Sequence, residues 1–481
     1  MRTLYRPYCI FLISSLVSFS VFPQTLEEVI QTSLETNLRV ENQVLARDSA
    51  RLDLESAAAA MRPSINIRGS MSYLSNPPEG VSIEEGSLGS TTVPGSQFPA
   101  PVPDSEIELV PGAENSFFRL TAGISQPIYT WNKLKNARKA AELQLHSSSL
   151  QEQETRREII RDVRQSWSAV KMLSASSGIV SEMQELASGM LEDNRARYDQ
   201  GLVNWQAVLD ARSNVSSIIT RRTEIDQALA SARLGLEISS GIPSSRLSPV
   251  FTPSRLERAA EPGDDSETAG EYHNRILSNQ ISEERRRQLL IQLRENNSEL
   301  QNIAVQRQLA EVQKDIQAAG RPFRPDIGLQ ADIELSGQRI PFSPNWRETW
   351  DLGITLSIGV DMLTLDWGQA DNSYAQAGYQ LQQAQNGESL TLDALEARLS
   401  NIIQQINLAV ARYLEARSKL ALQEEQFKNA VVSFENELIT REELQGSRLL
   451  LLGARLEALS YNFEYETSMA ELDFLTGKDV E

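Results

Sequence analysis

The sequence predicts a mainly α-helical protein with a membrane β-barrel part, built as two similar halves. Three observations predict this fold class: an internal repeat, four alternating segments of similar length, and helical stretches of unusual length. From residue 116 onward the pattern returns 236 positions later without a gap, so that Trp131 corresponds to Trp367 and Gly241 to Gly477. Because this period exceeds one unit of a solenoid, it indicates a duplicated half-molecule.

The repeat also predicts how the chain of 481 residues is divided. We expect a signal peptide at residues 1–24, a first repeat at 25–243, a linking segment at 244–270 and a second repeat at 271–481. Each repeat contains a helix, a strand pair and a helical hairpin in the same order. The strand pairs span residues 64–126 and 326–360, and the hairpins span residues 133–239 and 369–475.

The N-terminal residues have the pattern of a secretory signal. Arg2 and Arg6 precede a short apolar run that begins at Cys9, and small residues around Ser20 allow cleavage there or near Gln24. The run is shorter than the ~20 residues of a membrane-spanning helix. Because Cys9 is the single cysteine of the chain, its removal would leave a protein without disulfide or thiol chemistry.

Four segments alternate between apolar and polar residues, as β-strands with one apolar face do. They cover residues 64–73, 117–126, 326–335 and 350–360. In the first segment Ile65 and Ile67 share one face, whereas Asn66 and Arg68 share the other. A β-strand that crosses a bilayer needs ~9–11 residues, and these segments have that length.

Alternation alone fits two structures equally, a soluble hairpin with one buried face and a pair of membrane strands. The signal peptide, the matching lengths and the aromatic residues near the strand ends favour the membrane. Four strands cannot close an outer-membrane barrel, which has at least about eight, and open sheet edges do not occur in lipid. The chain must therefore oligomerise in a membrane, and three copies of four strands would provide twelve.

The helical stretches are too long for an ordinary globular domain. Residues 133–200 contain no proline, and their apolar residues recur at spacings of three and four, as in coiled coils. At 1.5 Å per residue a helix over this range is about 100 Å long. Gly201 ends it, and a shorter helix follows as far as Ser239. Single helices are also expected over residues 26–61 and 285–319.

Six short motifs follow one another in this architecture. They are Leu34–Asn37, Arg62–Ile65, Ser125–Tyr129, Arg197–Leu202, Val208–Ala211 and Gly241–Pro243. Their order and spacing, together with the duplication, resemble the TolC-like outer-membrane efflux proteins over nearly the whole chain. Each motif alone is short and common, so the resemblance depends on the complete set.

The resemblance implies a homotrimer with a twelve-stranded barrel in the outer membrane and an α-helical tunnel in the periplasm. It also implies a passive channel that works with a periplasmic adaptor and an inner-membrane pump. Drug or metabolite efflux and type I protein secretion both stay open. The alternative is a periplasmic coiled-coil scaffold without a pore, which would tolerate charge on the face of Ile65 and Ile67.

The resemblance further implies that the helical tips bind the adaptor. The first tip contains Gly201 and Leu202, and the second contains Leu438 and Ile439. The second tip has Glu437 where the first has Gly201, so it stays open whether both tips bind the adaptor alike.

In the family, acidic residues just after the second tip surround the inner aperture. Glu443 occupies the first such position, whereas the second position is Gly446. Glu435, Glu437 and Glu442 are the candidates to replace the missing charge. Three copies of Glu443 would favour cations, although a solvated helix face explains any one of these residues equally well.

Composition excludes several other functions. The net charge of −19 argues against nucleic acid as a partner. The two histidines, His146 and His273, lie far apart in the sequence, and no pattern predicts a metal site, a catalytic nucleophile or a cofactor. We therefore expect a protein that is not an enzyme.

Overall fold

The computed structural model describes residues 25–92, 94, 98–110, 114–243, 276, 281–320, 324, 326–339, 344–360 and 367–478. The expected signal peptide and linking segment lie outside these residues, and the four-part division of the chain stays a prediction. The chain forms two compact units. The helical unit contains the described parts of Met1–Arg47, Ser148–Ala304 and Gly387–Glu481, and the sheet unit contains those of Asp48–Ser147 and Val305–Asn386.

The helices of the described residues reproduce the repeat. They are α1 (Leu26–Thr36), α2 (Leu38–Ala59), α3 (Lys133–Asp199), α4 (Trp205–Ser240), α5 (Glu283–Asn296), α6 (Ser298–Ala319), α7 (Gln369–Glu435) and α8 (Arg441–Thr476). The bounds of α3 and α7 differ by 236 positions at both ends, and so do those of α4 and α8. Among these described helices, none is both long and apolar enough to cross a membrane.

The segments before the two strand pairs are each broken by an asparagine. Asn37 separates α1 from α2, and Asn297 separates α5 from α6. Asn37 Nδ2 donates to the carbonyl oxygen of Ser239 at 2.9 Å, and Asn297 Nδ2 donates to that of Leu475 at 2.9 Å. The expectation of one unbroken helix in each segment is therefore wrong, because an asparagine side chain competes for backbone hydrogen bonds.

Equivalent positions of the two repeats form equivalent cores in the helical unit. Val163 and Val170 on α3 are fully buried against α1, α2 and α4. Their counterparts 236 positions later, Leu399 and Ile406 on α7, are buried against α5 and α8. Burial of each such side chain stabilises the fold by about 1.5–3 kcal/mol, which explains how helices of low intrinsic amphipathicity are held together.

The strands form one main sheet and two small ones. They are β1 (Ser64–Tyr73), β2 (Val81–Ile83), β3 (Ser90–Thr91), β4 (Ala100–Pro101), β5 (Ile107–Val110), β6 (Ser116–Tyr129), β7 (Ile327–Gly337) and β8 (Trp350–Val360). The main sheet is antiparallel with the order β1-β6-β7-β8. The pairs β2–β5 and β3–β4 lie in the long segment between β1 and β6. In this sheet β1 and β8 are edge strands.

One face of the main sheet is apolar and exposed. Ile67, Ala122, Ile333 and Ile354 lie side by side across the four strands. Ile67 is 75% exposed and Ile354 is 76% exposed, so this face is not covered by the described residues. A contiguous apolar surface of this kind marks a contact with lipid or with another protein.

The opposite face is polar and carries paired charges. Arg119 Nε lies 2.8 Å from Glu334 Oε1 across β6 and β7. Gly123 lies between Asn66 and Asp332 in the same row of the sheet. A Cβ atom at Gly123 would lie 2.3 Å from Asp332 Oδ1 and 2.8 Å from Asn66 Oδ1, so glycine is required where these two side chains approach.

Candidate aperture and helical tips

The first tip joins α3 to α4 through a turn at Gly201. The Gly201 N–H donates to the carbonyl of Tyr198 at 2.8 Å, and the Leu202 N–H donates to that of Arg197 at 2.9 Å. Gly201 has a φ of 74°, which a glycine adopts without strain. The Asn204 side chain then accepts a backbone N–H of α4 at 3.0 Å and begins that helix.

The second tip joins α7 to α8 through the same turn. The Glu437 N–H donates to the carbonyl of Phe434 at 2.9 Å, and the Leu438 N–H donates to that of Ser433 at 2.8 Å. Glu437 has a φ of 58°, a left-handed conformation that costs a side-chain-bearing residue roughly 1–2 kcal/mol. The substitution of glutamate for the glycine of the first tip is therefore accommodated with strain.

The predicted docking residues lie in these two equivalent turns. Leu202 is 67% exposed and its counterpart Leu438 is 76% exposed. Gly201 is exposed beside Leu202, whereas Ile439 is half-buried. Each tip thus presents one leucine to its surroundings at the same position of the turn.

Glu443 has a defined partner at the start of α8. Its carboxylate accepts the backbone N–H of Thr440 at 2.7 Å and the hydroxyl of Thr440 at 3.0 Å. In return the Thr440 hydroxyl oxygen accepts the Glu443 N–H at 3.3 Å. The hydrogen bond from the Thr440 backbone, followed by that from its hydroxyl, holds the pKa of Glu443 below its ordinary value. This carboxylate therefore keeps its negative charge to a lower pH than a free glutamate.

Glu442 faces α3 and is partly neutralised there. Its Oε2 atom lies 3.0 Å from Arg197 Nη1, and its Oε1 atom accepts from Asn194 Nδ2 at 3.3 Å. Further along the same pair of helices, Arg448 Nε donates to Glu182 Oε1 at 2.8 Å. Sequence reasoning missed these contacts, because their partners are separated by 245 or more positions and no local pattern connects them.

The space between α3 and α8 near the tip is a cleft of about 310 Å³. Arg441 Nε and Asp193 Oδ2 face each other beside it at 4.0 Å. Glu435 and Glu437 are exposed on the second turn. An exposed ion pair such as Arg441–Asp193 contributes ~0–1 kcal/mol, so it fixes the orientation of the two side chains more than it stabilises the fold.

Within the described residues there is no group of three or more His, Cys, Asp or Glu that could hold a metal ion.

Residues 29–241, from α1 to the end of α4, match the family model described as outer membrane efflux protein. This range corresponds to most of the first repeat. No curated protein matches the chain in sequence.

Solved structures share the fold over 94% of the chain. The CmeC outer membrane channel of Campylobacter jejuni has a TM-score of 0.68 at 13% identity, over 85% of its own chain. The outer membrane protein VceC of Vibrio cholerae has a TM-score of 0.66 at 15% identity, over 96% of its chain. The open state of the MtrE outer membrane channel of Neisseria gonorrhoeae has a TM-score of 0.59 at 14% identity, over 89% of its chain. These likenesses show that the second repeat also has this fold.

The resemblance inferred from the sequence, that to the outer-membrane efflux proteins, is thereby confirmed. The predicted fold class, a mainly helical chain with four antiparallel strands, and the location in the outer membrane are confirmed with it. The matching family model is that of an outer membrane efflux protein and the similar solved structures include outer membrane channels, which agrees with the expectation of a protein that is not an enzyme.

Proposed function

We propose that three copies of the chain form a passive outer-membrane channel. It receives substrates from an inner-membrane pump through a periplasmic adaptor, in efflux or in type I secretion. The observation that carries this proposal is the sheet, which has an apolar face and two edges that no other described part of the chain covers or pairs. In lipid an unpaired backbone group has no water to bind, so the edges need strands of other copies.

Strand lengths support a position in the bilayer. β1 has 10 residues and β8 has 11, and a tilted strand needs ~9–11 to cross the hydrocarbon. Three copies of the four-stranded sheet supply twelve strands, above the minimum of about eight for a membrane barrel. The polar face of each sheet, with Arg119 and Glu334, would then line a water-filled interior.

Exposed apolar side chains in the helical unit support association between copies. Leu234 and Ile238 on α4 are 56% and 70% exposed, and Leu390 and Leu422 on α7 are 69% and 56% exposed. In contrast, α3 and α8 contact each other within one chain. A neighbouring copy would cover the uncovered faces of α4 and α7 and complete a helical wall.

The aperture of this channel is proposed to lie at the second tip, with Glu443 as its main charge. The Thr440 contacts keep that carboxylate ionised, whereas the carboxylate of Glu442 forms an ion pair with Arg197. Three copies of Glu443 would make the aperture favour cations. Glu435 and Glu437 would add to the negative potential on the same turn.

The adaptor is proposed to dock on the two turns through Leu202 and Leu438. Both leucines are exposed at equivalent positions, and an apolar anchor within a polar rim is typical of interfaces. Gly201 and Ile439 flank these anchors. Photocrosslinking from positions 202 and 438 in cells would test this contact, and crosslinks that miss every periplasmic adaptor would contradict it.

Two neighbouring substitutions test the channel itself. Ile354 and Thr355 are adjacent on β8 and lie on opposite faces of the sheet. Ile354→Lys places a charge in lipid at a cost of roughly 2–4 kcal/mol near the bilayer centre, so we expect the trimer to be lost from the outer membrane. Thr355→Lys faces the interior and is the matched control, so it is expected to assemble.

Membrane fractionation and mass measurement in mild detergent are the readouts. A protein that is monomeric and soluble without detergent, with equal tolerance for both substitutions, would contradict the channel. That result would favour the alternative of a periplasmic coiled-coil scaffold.

A further inference from the structure

The two strand pairs of the sheet unit have identical registers. Moving β1 forward by 262 positions and β6 forward by 236 converts the pair Ile65–Ile124 into Ile327–Val360. The same shifts convert Tyr73–Ser116 into Leu335–Leu352, and both resulting pairs are observed. The hairpins are therefore equivalent by hydrogen-bond register, and each contact of the first hairpin with the second has a predictable counterpart.

The junction between the hairpins is the pairing of β6 with β7. There Leu120 pairs with Leu335, Thr121 with Glu334 and Ala122 with Ile333. In a closed barrel of repeated hairpins, the next junction joins β8 of one copy to β1 of the next. Adding 236 to the β6 positions and subtracting 262 from the β7 positions gives the register of this next junction. In it Leu356 pairs with Tyr73, Ser357 with Ser72 and Ile358 with Met71.

From this equivalence we infer a specific seam between two copies, in which β8 of one chain pairs with β1 of a second copy in that register. At the end of this seam, the Trp367 ring of the first chain contacts the Arg62 guanidinium of the second. The inference rests on the proposed trimer and adds its strand register and one side-chain contact. It keeps the sheet faces consistent, because Leu356, Ile358, Met71 and Tyr73 all belong to the apolar face. A shift by one residue would place polar side chains in lipid.

The side-chain contact follows from the turn between strand and helix. Trp131 and Asn132 have φ of 50° and 64°, and Trp367 and Gly368 have φ of 51° and 89°. Both tryptophans thus occupy the same left-handed turn, two residues before the start of α3 or α7. The backbone therefore directs the Cα–Cβ bonds of the two tryptophans alike relative to their helices.

Within one chain, the first of these rings has a cationic partner. The guanidinium carbon of Arg324 lies 5.7 Å from the centre of the Trp131 ring, within the range of cation–π attraction. Arg324 precedes β7 in the sequence Arg-Pro-Asp, and 262 positions earlier Arg62 precedes β1 in the sequence Arg-Pro-Ser. The counterpart of the observed contact is therefore Arg62 with Trp367.

Both members of that second pair are uncovered in a single chain. Trp367 is 95% exposed, and Arg62 is exposed. A tryptophan held in a left-handed conformation with its ring fully exposed is costly in isolation. A second copy explains it, because the arginine of that copy would stack on the ring as Arg324 stacks on Trp131.

The seam differs from the internal junction in its charges. The internal junction contains the ion pairs Arg119–Glu334 at 2.8 Å and Lys133–Asp326 at 2.6 Å. The same shifts convert the pair Lys133–Asp326 into Gln369 with Ser64, and neither of these side chains is charged. Backbone hydrogen bonds, apolar pairs and the Arg62–Trp367 contact would therefore contribute to the seam where the internal junction has these two ion pairs.

Disulfide trapping in the full-length protein tests the register. In a Cys9→Ser background, Ser72→Cys with Ser357→Cys places two near-isosteric thiols directly opposite each other on the polar face. Ser70→Cys with Ser357→Cys is the matched control, displaced by two residues to a diagonal distance of ~7–8 Å. Because disulfides need Cα separations of about 4.4–6.8 Å, we expect the first pair to form covalent trimers roughly tenfold faster.

The outcomes separate this inference from the proposed function. Faster trapping of the displaced pair, or no trapping in a protein that migrates as a trimer in mild detergent, overturns the register while leaving the trimer intact. A monomer in mild detergent overturns both.

The side-chain contact has its own test in the heat stability of the trimer in detergent. Arg62→Gln and Trp367→Leu should each lower the dissociation temperature, and the double variant should lower it no further than the more affected single variant. Arg347→Gln is the control, because this exposed arginine lies between β7 and β8, at the opposite end of β8 from Trp367. Additive effects of Arg62→Gln and Trp367→Leu would show that the two side chains do not meet.

Discussion

The two helical tips have the same backbone turn but are built from different residues. In the first, Gly201 occupies the left-handed position without strain; in the second, Glu437 occupies it at φ 58°. The first tip packs Tyr198 against Trp205 in a tilted arrangement, with 5.1 Å between the ring centres. The second places acidic residues on the turn and at the start of α8, including Glu443.

This difference indicates that the tips have separate roles. A turn that needs φ > 0 is most stable with glycine, so glutamate at that position lowers the stability of the turn. The strain coincides with the concentration of negative charge proposed for the aperture. The second tip is therefore the better candidate for ion selectivity, whereas the first is the better candidate for a rigid apolar contact.

The largest expected difference between the tips concerns their helix caps. Thr440→Ala removes the hydroxyl that accepts the Glu443 N–H, and we expect a loss of about 1–2 kcal/mol in local stability. Asn204→Ala at the first tip is the matched control, with an expected loss of about 1 kcal/mol, since its cap lacks a reciprocal carboxylate. Amide hydrogen exchange of the first turns of α4 and α8 measures both. Equal losses would contradict a special role of the second cap.

The next effect concerns the left-handed residue of each turn. Gly201→Ala should destabilise the first tip by about 1 kcal/mol through backbone strain alone, because a Cβ atom there meets nothing within 4 Å. Glu437→Gly should stabilise the second tip by up to about 1 kcal/mol. Hydrogen exchange at the turns reports both changes. A destabilised Glu437→Gly variant would mean that the glutamate side chain stabilises the turn by a contact in the assembled protein.

Much of this architecture was predictable, because it depends on local patterns. The 236-residue offset predicted paired helices, and alternation predicted the four long strands and their faces. The breaks at Asn37 and Asn297 were not predictable, since each depends on a side chain that reaches a carbonyl 202 or 178 positions away. The pairing of Glu442 with Arg197 joins residues 245 positions apart for the same reason. Local periodicity reports which face is apolar, and it contains no information on which distant polar groups meet.

A smaller effect is expected at the ion pair between Arg197 on α3 and Glu442 on α8, which joins the two tips. Arg197→Gln removes the partner of Glu442 between α3 and α8. Because both side chains are close to half exposed, the expected loss of stability is below ~1 kcal/mol. Single-channel recordings should nevertheless show more frequent open states if this contact holds the two helices together at the aperture. Arg212→Gln on α4, which lies on a different helix, is the control, and identical recordings for both variants would contradict the link.

The last prediction concerns ion selectivity and its dependence on pH. Glu443→Gln should reduce the preference for cations in planar bilayers by roughly twofold to threefold, an effect below ~1 kcal/mol. Glu443→Asp retains the charge and is the control. Because hydrogen bonds from Thr440 lower the pKa of Glu443, the wild-type carboxylate stays charged as the pH falls below its ordinary pKa, and selectivity is lost only when the pH passes through the lowered value. Thr440→Ala removes the hydroxyl's contribution, so selectivity should be lost at a higher pH than in the wild type. A midpoint unchanged by Thr440→Ala would show that another carboxylate, such as Glu435 or Glu437, determines the selectivity of the aperture.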